Sequence, residues 1–493
     1  MKIMLTKIKE LIEELNASGI RYCHWKSNLS LPKSLSGQTD IDLLIHRKDA
    51  NIFRALLSQL CFQPAIINGV EPFPSVEHHF ALDEESGFLV HVHAYFRVIT
   101  GDSLAKNYRF PIEEMLLQNG REVESVRLPE KSAELVIFTL RMMLKHTSLM
   151  ELVLLARYWK QVQEEINWLM ENDVIDETLK FTNCWLPSLD AGLFSDCITA
   201  LKSSRPLFRR IILGHQLRFK LRLYARHSAI WAWLSGIKKF ATMFFHRLTG
   251  SKLGMIPQSG GAVIAFVGSE ATGKSTLLAA MRDWLGEHFA VRQIHAGKPS
   301  STVLSVLPNF LVPILRRMLP TRRSTRVETK LAFADPSKRS KKDYPMIYAI
   351  RAALLAYDRR SLLTRAFGWA ANGTIVLCDR YPSLLNGVPD SPQLSMPASS
   401  RKYSIRGLMA RIEARLYREI PSPDLIIHLS APLDVTVSRN APRSKKEPED
   451  YIQRRHAQTS NLDFGNAPIY KINTDQPLDQ ILLKIKKVIW NVL

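Results

Sequence analysis

The stretch from residue 262 to residue 280 constrains the fold of this chain more than any other. It reads AVIAFVGSEATGKSTLLAA. The apolar run 262–267 predicts a buried strand, and the residues from Lys274 onward predict a helix. The loop between them has the pattern G-x-x-x-x-G-K-[ST], which binds phosphate groups when it joins a strand to a helix. The sequence therefore predicts a phosphate-binding loop at this position.

Each residue type in this loop has a physical role. Gly268 and Gly273 let the backbone curl so that successive N–H groups point at phosphate oxygens, and the start of the next helix adds positive potential. We expect Lys274 to reach the β- and γ-phosphates of ATP, and the Ser275 hydroxyl to bind Mg²⁺. The expected nucleotide-binding residues are Gly268, Ser269, Glu270, Ala271, Thr272, Gly273, Lys274, Ser275 and Thr276.

Composition limits the classes of protein to which the chain can belong. With 493 residues it is too long for one core, so two or three domains are expected. A net charge of +21 favours anionic partners such as nucleotides, acidic lipids or anionic glycans. The five cysteines are scattered, which argues against a disulfide framework or structural zinc. The amphipathic N-terminal segment and the absence of a long apolar run predict a cytoplasmic protein, with the inner membrane face as an alternative location.

Three regions differ in composition: 1–200, 201–259 and 260–493. The middle region contains no Asp or Glu, and residues 202–252 interleave lysines and arginines with bulky apolar residues. We interpret it as a basic, amphipathic helical connector between domains. Peripheral contact with an anionic membrane is the alternative. Nucleic-acid binding is the weakest interpretation, because basic and aromatic residues alone are poor evidence for it.

The third region alternates apolar runs with helical patterns. Strands are predicted at 290–296, 374–378, 425–429 and 469–472, and helices are predicted at 349–370 and 478–492. This alternation is typical of an α/β fold, a parallel sheet with helices on both faces.

An acidic and a basic residue follow the predicted strand TIVLC. Ligands bind at the carboxyl ends of parallel strands. We therefore expect Asp379 to bind Mg²⁺ or accept a proton, and Arg380 to clamp a phosphoryl group.

Four segments together carry a family resemblance. In order they are FVGSEATGKSTL, LLAYDRR, GTIVLCDRYP and PDLIIHLSAP. They resemble the thymidylate kinase family of nucleoside monophosphate kinases over nearly all of 260–493. The resemblance implies a P-loop kinase core that transfers the γ-phosphoryl group of ATP to a phosphate or a hydroxyl. It also implies that Arg380 grips an acceptor phosphate, assisted by Arg359 or Arg360.

The same resemblance implies a mobile basic lid over Arg439–Arg455. Its candidate arginines are Arg439, Arg443, Arg454 and Arg455, with Arg443 among the expected catalytic residues; a solvated charge run is the alternative. The segment HAGKPSS replaces the Arg-Glu-Pro motif at the family's acceptor pocket, and a long basic segment follows over 303–345. The acceptor therefore stays open between a nucleoside monophosphate and a sugar or glycan.

The first region contains two carboxylates that could share a divalent metal. Asp40 and Asp42 flank Ile41 at the start of an apolar run, so alternation predicts that both lie on one face of a strand. With Lys26-Ser27 before them, they resemble the nucleotidyltransferase superfamily, an α+β fold. The later strand 88–96 carries histidines where a third carboxylate is expected. The domain is therefore either a transferase or a domain that binds a substrate or a partner.

Together these features predict an ATP- and Mg²⁺-dependent phosphotransferase domain fused to a nucleotidyltransferase-like domain. The expected partners are ATP and a small-molecule or glycan acceptor, with a homodimer as one expected assembly. Such pairings resemble proteins of bacterial surface-polysaccharide pathways. The alternatives are an ATP-binding regulatory or membrane-associated scaffold, and a bifunctional kinase and nucleotidyltransferase.

Overall fold

The chain divides into two compact units, residues 1–253 and 254–493. The computed structural model describes residues 4–69, 72–101, 106–118, 120–145, 149–171, 174–203, 207–228, 254–300, 302, 346–394, 405–442, 447–459 and 462–493, with single positions between 231 and 241. The basic segment 303–345 and Arg443 lie outside the described residues.

The first unit combines a sheet with a group of helices. Its strands are β1 (Tyr22–His24), β2 (Ile41–Ile45), β3 (Gln63–Ile67), β4 (Val76–Leu82), β5 (Leu89–Tyr95), β6 (Val98–Thr100), β7 (Tyr108–Phe110), β8 (Arg121–Val123) and β9 (Val126–Leu128). Its helices are α1 (Thr6–Ala17), α2 (Leu31–Leu35), α3 (Ala50–Gln59), α4 (Glu113–Leu117), α5 (Lys131–Lys145), α6 (Leu149–Leu169), α7 (Ile175–Trp185), α8 (Ala191–Lys202) and α9 (Leu207–Lys220).

The main sheet of the first unit is mixed, with strands in the order β1-β2-β5-β4-β3. Strand β2 runs parallel to β5 and antiparallel to β1. One core cluster joins the sheet to α1 and α3, and a second joins it to the helices α5 to α9. The apolar residues of α1 recur at three- and four-residue spacing and so lie on one face of the helix. On that face Ile8, Leu11, Ile12 and Leu15 are all buried.

The sequence predicts a connector between domains over 201–259, but helix α9, which lies in that range, packs into the core of the first unit. Its residues Leu213 and Leu217, with Leu221 just beyond it, are buried in the same core cluster as α5 and α8. The apolar face of this basic helix is therefore covered by the first unit itself. The structure places the first half of the predicted connector inside the first unit because that face buries apolar surface there.

The second unit is built on a parallel sheet. Its strands are β10 (Met255–Pro257), β11 (Val263–Gly268), β12 (Val291–His295), β13 (Ile375–Asp379), β14 (Leu425–Ser430) and β15 (Ile469–Asn473). Its described helices are α10 (Lys274–Leu285), α11 (Met346–Ala371), α12 (Ile405–Arg418), α13 (Leu433–Asn440), α14 (Glu449–Thr459) and α15 (Leu478–Trp490).

Five of these strands form one sheet in the order β12-β13-β11-β14-β15, and every pairing is parallel. Helices α10 and α11 both contact the central strands. The near-continuous burial of β11, β13 and β14 is what a parallel sheet covered on both faces requires. The predicted parallel α/β sheet is therefore confirmed. Its central strand is β11, which leads directly into the glycine-bounded loop.

Among the described residues, we find no helix that is both long and apolar enough to cross a membrane.

Candidate functional site

The glycine-bounded loop leaves β11 in a conformation that only glycine accommodates. Gly268 has φ of 147°, and a Cβ there would lie 2.2 Å from the carbonyl oxygen of Leu429 on β14. Gly273 has φ of 84° and is the N-cap of α10. Both predicted glycines are therefore required by the backbone, one by close approach and one by its left-handed conformation.

Lys274 is the first residue of α10, and its side chain folds back over the loop. Its ammonium donates to the carbonyl oxygens of Gly268, at 3.1 Å, and Ser269. Burial lowers the pKa of Lys274 to about 8, opposed by the nearby Glu270 carboxylate. The Lys274 ammonium is therefore buried, and it donates hydrogen bonds to carbonyl oxygens of its own loop.

The neighbouring strand brings the predicted Asp379 beside this loop. Strands β11 and β13 pair with Phe266 opposite Asp379, so both strands end at the same edge of the sheet. On its other side, β13 pairs with β12, where His295 is opposite Asp379 with Nε2 3.9 Å from Oδ2. The register thus explains how residues over 100 positions apart converge on one edge.

Arg380 links the loop to a carboxylate that the sequence analysis did not select. Its Nη2 donates to Glu270 Oε1 at 2.9 Å, and its Nη1 donates to Asp390 Oδ2 at 3.2 Å. Its φ of 70° lies in the left-handed region, a strained conformation for arginine. The pKa of Glu270 is held at about 2, against the effect of burial, chiefly by Arg380.

Two further arginines complete this group. Arg359 Nη2 donates to Asp390 Oδ1 at 2.8 Å, and Arg455 Nη2 donates to Glu270 Oε1 at 3.2 Å. We call Glu270, Arg359, Arg380, Asp390 and Arg455 the arginine–carboxylate cluster. Its guanidinium groups hold the pKa of Asp390 below its usual range, although burial opposes them.

The structure distinguishes the two arginines between which the motif could not choose. Arg359 is buried and also donates to the carbonyl oxygen of Ala296 and the hydroxyl of Tyr417. Arg360 instead pairs with Glu419, 2.7 Å away on a partly exposed surface. Of these two arginines, Arg359 therefore belongs to the arginine–carboxylate cluster and Arg360 does not.

The segment HAGKPSS approaches the cluster through a glycine. A Cβ on Gly297 would lie 2.6 Å from Arg380 Cδ and 3.3 Å from Asp390 Oδ1. The glycine at position 297 thus lets the backbone pass close to both side chains.

In the described part of the predicted lid, residues 439–442 and 447–455, Arg455 is the residue found in this group. Arg455 reaches Glu270 from α14, whereas Arg439 donates to the carbonyl oxygen of Thr474 at 3.0 Å. Arg443 cannot be placed, because it lies outside the described residues.

The predicted magnesium ligands of the second unit are chemically suited to that ion. Ser275 offers a hydroxyl oxygen from the first turn of α10, and Asp379 offers a carboxylate at the end of β13. Mg²⁺ prefers oxygen ligands and takes few from the protein when phosphates and water supply the rest. These two residues therefore fit the ion.

The paired carboxylates of the first unit are already engaged. Asp42 Oδ1 lies 2.7 Å from Lys26 Nζ and 3.1 Å from His93 Nδ1, while Asp40 Oδ1 lies 2.7 Å from His91 Nδ1. Register places Asp42 directly opposite His93 on the parallel strand β5. The pKa of Asp42 is lowered well below its usual value, with Lys26 the main cause against burial.

This arrangement does not fit the two-carboxylate magnesium site that the sequence predicts. The Lys26 ammonium neutralises Asp42, and His91 occupies an oxygen of Asp40. Where the chain is described, no group of three or more His, Cys, Asp or Glu side chains is placed to bind a metal ion. The His93 ring, which contacts Asp42, also stacks on the ring of His78, with 4.3 Å between the ring centroids.

Comparison with known proteins finds sequence relatives that are named as ATP-binding proteins. The chain is 25% identical over 238 residues to the uncharacterized ATP-binding protein YghR of Escherichia coli K12, covering 46% of this chain and 86% of YghR. It is 27% identical over 229 residues to the uncharacterized ATP-binding protein YghS of the same strain, covering 45% of this chain and 89% of YghS. No protein-family model matches the chain.

Among solved structures, thymidylate kinase from Candida albicans aligns with 47% of this chain and 91% of its own. The sequence identity is 16% and the TM-score is 0.27.

Proposed function

We propose that the second unit binds ATP with Mg²⁺ and transfers its γ-phosphoryl group to a small-molecule or glycan acceptor. The observation that carries this proposal is the loop 268–276, with its two conformationally required glycines and a buried lysine. The YghR and YghS names, both ATP-binding, support the choice of nucleotide. A nucleoside monophosphate and a sugar are both candidate acceptors at this stage.

Each residue has a task in this reaction. Lys274 exchanges its bonds to the loop carbonyls for bonds to the β- and γ-phosphates. Ser275 and Asp379 would hold Mg²⁺, which would neutralise phosphate charge. Arg380 and Arg455 lie beside the loop, where guanidinium groups stabilise charge on the transferring group.

Calorimetric titration with ATP tests the nucleotide site. We expect one site per chain, and binding weakened by chelating Mg²⁺ or by Asp379→Asn. An Asp434→Asn variant, which changes an exposed acid of the same unit, is the control. Unchanged affinity after chelation and in Asp379→Asn would contradict the proposed metal ligands.

The lowered pKa of Lys274 predicts proton uptake on ATP binding. Below pH 8 the amine is already charged, and above pH 8 it is largely neutral until phosphates restore its charge. We therefore expect uptake to rise from near zero at pH 7 toward about one proton per ATP at pH 9. Titrations in buffers of different ionisation enthalpy measure it.

The matched control for this proton is Lys274→Arg, whose side chain stays charged throughout. That variant corrects for protons carried by the nucleotide itself. Equal uptake by the wild type and Lys274→Arg at pH 9 would show that Lys274 is not the titrating group.

For the first unit, we propose a domain that binds a substrate or partner without magnesium. The Lys26 contact to Asp42 and the His91 contact to Asp40 support this choice over the transferase alternative. We derive no nucleotidyl transfer from these residues.

A second candidate function, attachment to an anionic membrane surface, is favoured by one face of α9 and the turn after it. Ile212, Phe219 and Leu223 are 59%, 64% and 79% exposed, and Lys220 and Arg222 beside them are exposed too. Apolar side chains flanked by basic ones suit the interface of acidic lipid bilayers.

Co-sedimentation with vesicles tests the membrane candidate. We expect binding to phosphatidylglycerol vesicles, little binding to phosphatidylcholine vesicles, and an about tenfold loss in a Phe219→Ser and Leu223→Ser double variant. Phe88→Ser is the control, because Phe88 is also exposed but lies outside this basic face. Equal sedimentation of all three proteins would rule out this face as the attachment site.

A further inference from the structure

The arginine–carboxylate cluster contains its own anions beside the phosphate-binding loop. Asp390 bonds Arg359 through one oxygen and Arg380 through the other. Glu270 bonds Arg380 and Arg455. Both arms of the Arg380 guanidinium are therefore already engaged by carboxylates.

The charge balance of the cluster disfavours a dianionic acceptor. Three guanidinium groups and two carboxylates leave one net positive charge among side chains that are no more than 22% exposed. A phosphate monoester that bonds Arg380 must displace a carboxylate or lie against it. Repulsion between like charges is strong where water is largely excluded.

Asp390 is placed by the backbone as well as by its ion pairs. Its φ is 59°, in the left-handed region, and the same is true of Arg380 with φ of 70°. Strained residues of this kind persist where the surrounding structure determines them and are concentrated at functional sites. The absence of a side chain at Gly297 admits both groups.

We propose that the acceptor is an uncharged compound that presents a hydroxyl group, and that Asp390 selects it. This inference rests on the phosphotransferase function proposed above. A carboxylate accepts a hydrogen bond from a hydroxyl and repels a phosphate, so one side chain supplies both the favourable contact and the discrimination.

The transfer step balances with Asp390 as the proton acceptor. The acceptor hydroxyl oxygen forms a bond to the γ-phosphorus of ATP. The bond from that phosphorus to the β–γ bridging oxygen breaks, and ADP leaves with the electron pair. The hydroxyl proton passes to the Asp390 carboxylate and then to water. An aspartate suffices for this role, because it performs the same task in protein kinases with a loose transition state.

Binding of a dianionic probe tests the inference without knowledge of the natural acceptor. Methyl phosphate is titrated into the full chain saturated with Mg²⁺ and ADP. We expect weak binding to the wild type and at least about tenfold tighter binding to Asp390→Asn, which removes the competing charge. Glu419→Gln is the control, because Glu419 also pairs with an arginine in this unit but lies outside the cluster. Methyl phosphate binding that is equal or weaker in Asp390→Asn would overturn the proposal.

Transfer from ATP provides a readout in the wild type alone, should Asp390→Asn fail to fold. We expect the wild type to phosphorylate neutral sugars or polyols; where Asp390→Asn folds, its rate should be about 100-fold lower. Preferential transfer to thymidylate or another nucleoside monophosphate would overturn the inference. Failure to bind ADP with Mg²⁺ would instead refute the phosphotransferase function itself, so the two failures are distinguishable.

Discussion

Replacing Lys274 with alanine should reduce phosphoryl transfer by roughly 10²–10³-fold while the second unit stays folded. The rate falls because the variant lacks the cation that we propose bonds the β- and γ-phosphates, and one lost donor to developing charge has an effect of this size. The fold survives because the lysine bonds only carbonyls of its own loop. The hydroxyl of Thr272 also donates to the Ser269 carbonyl, at 2.9 Å, so that oxygen keeps a partner.

Initial rates with labelled ATP and thermal unfolding together measure this expectation. Lys484→Ala is the matched control, because Lys484 is an exposed lysine of the same unit that bonds Gln476. A wild-type rate in Lys274→Ala would contradict the assigned role. A collapse of the unfolding temperature would mean that the lysine supports the loop rather than the phosphates.

Replacing Arg380 with methionine should destabilise the second unit by about 3–5 kcal/mol at neutral pH. The substitution removes the guanidinium that Glu270 and Asp390 share, so two largely buried charge-assisted bonds are lost, although Arg455 and Arg359 still bond one carboxylate each. Arg360→Met should leave the stability nearly unchanged, because the side chains of Arg360 and its partner Glu419 are 38% and 33% exposed and water screens their attraction. Urea unfolding of the full chain, followed at the transition of the second unit, measures both.

The pH dependence of this difference has a definite sign. In the wild type the pKa of Glu270 is about 2, lowered from 4.5, so its ion pair contributes stability above pH 4.5 and loses it as the pH falls toward 2. Without Arg380 the largest favourable part of that contribution is lost, while Lys274 and Arg455 remain near Glu270. The difference in unfolding free energy between the wild type and Arg380→Met should therefore be largest near pH 7 and should decrease below about pH 4.5. A gap that widens in acid would contradict the ion-pair explanation.

The parts of the fold that could be predicted from the sequence depend on local patterns. The apolar run before Gly268 and the glycine spacing define the loop without any distant contact. The same is true of the strand at Ile375–Asp379, because a short β-branched run before a charged pair is a local signal.

The ion pairs of the arginine–carboxylate cluster and the role of Asp390 could not be predicted, because they depend on contacts between distant segments. Arg455 and Glu270 are 185 positions apart, and Asp390 lies in a loop with no periodic pattern. The one available signal was an acid shortly after the Asp379–Arg380 pair, in the sequence NGVPDSP.

Two predictions from the sequence differ from the structure because they depend on what a helix or a side chain contacts. The amphipathic pattern of α9 is visible in the sequence, but the pattern does not say that the first unit covers its apolar face. Alternation likewise places Asp40 and Asp42 on one face, but it does not reveal that Lys26 is close enough to neutralise Asp42. Both outcomes are set by packing between elements rather than by local propensity.

The most direct test of the account is the fate of the γ-phosphate. The purified chain is incubated with γ-labelled ATP and Mg²⁺, in parallel with thymidylate and other nucleoside monophosphates, with neutral sugars and with a glycan extract, with Lys274→Ala as control. The account predicts that label passes to a hydroxyl acceptor only with the wild type. Tight ATP binding with no label transferred to any acceptor would contradict it, and would favour an ATP-binding scaffold.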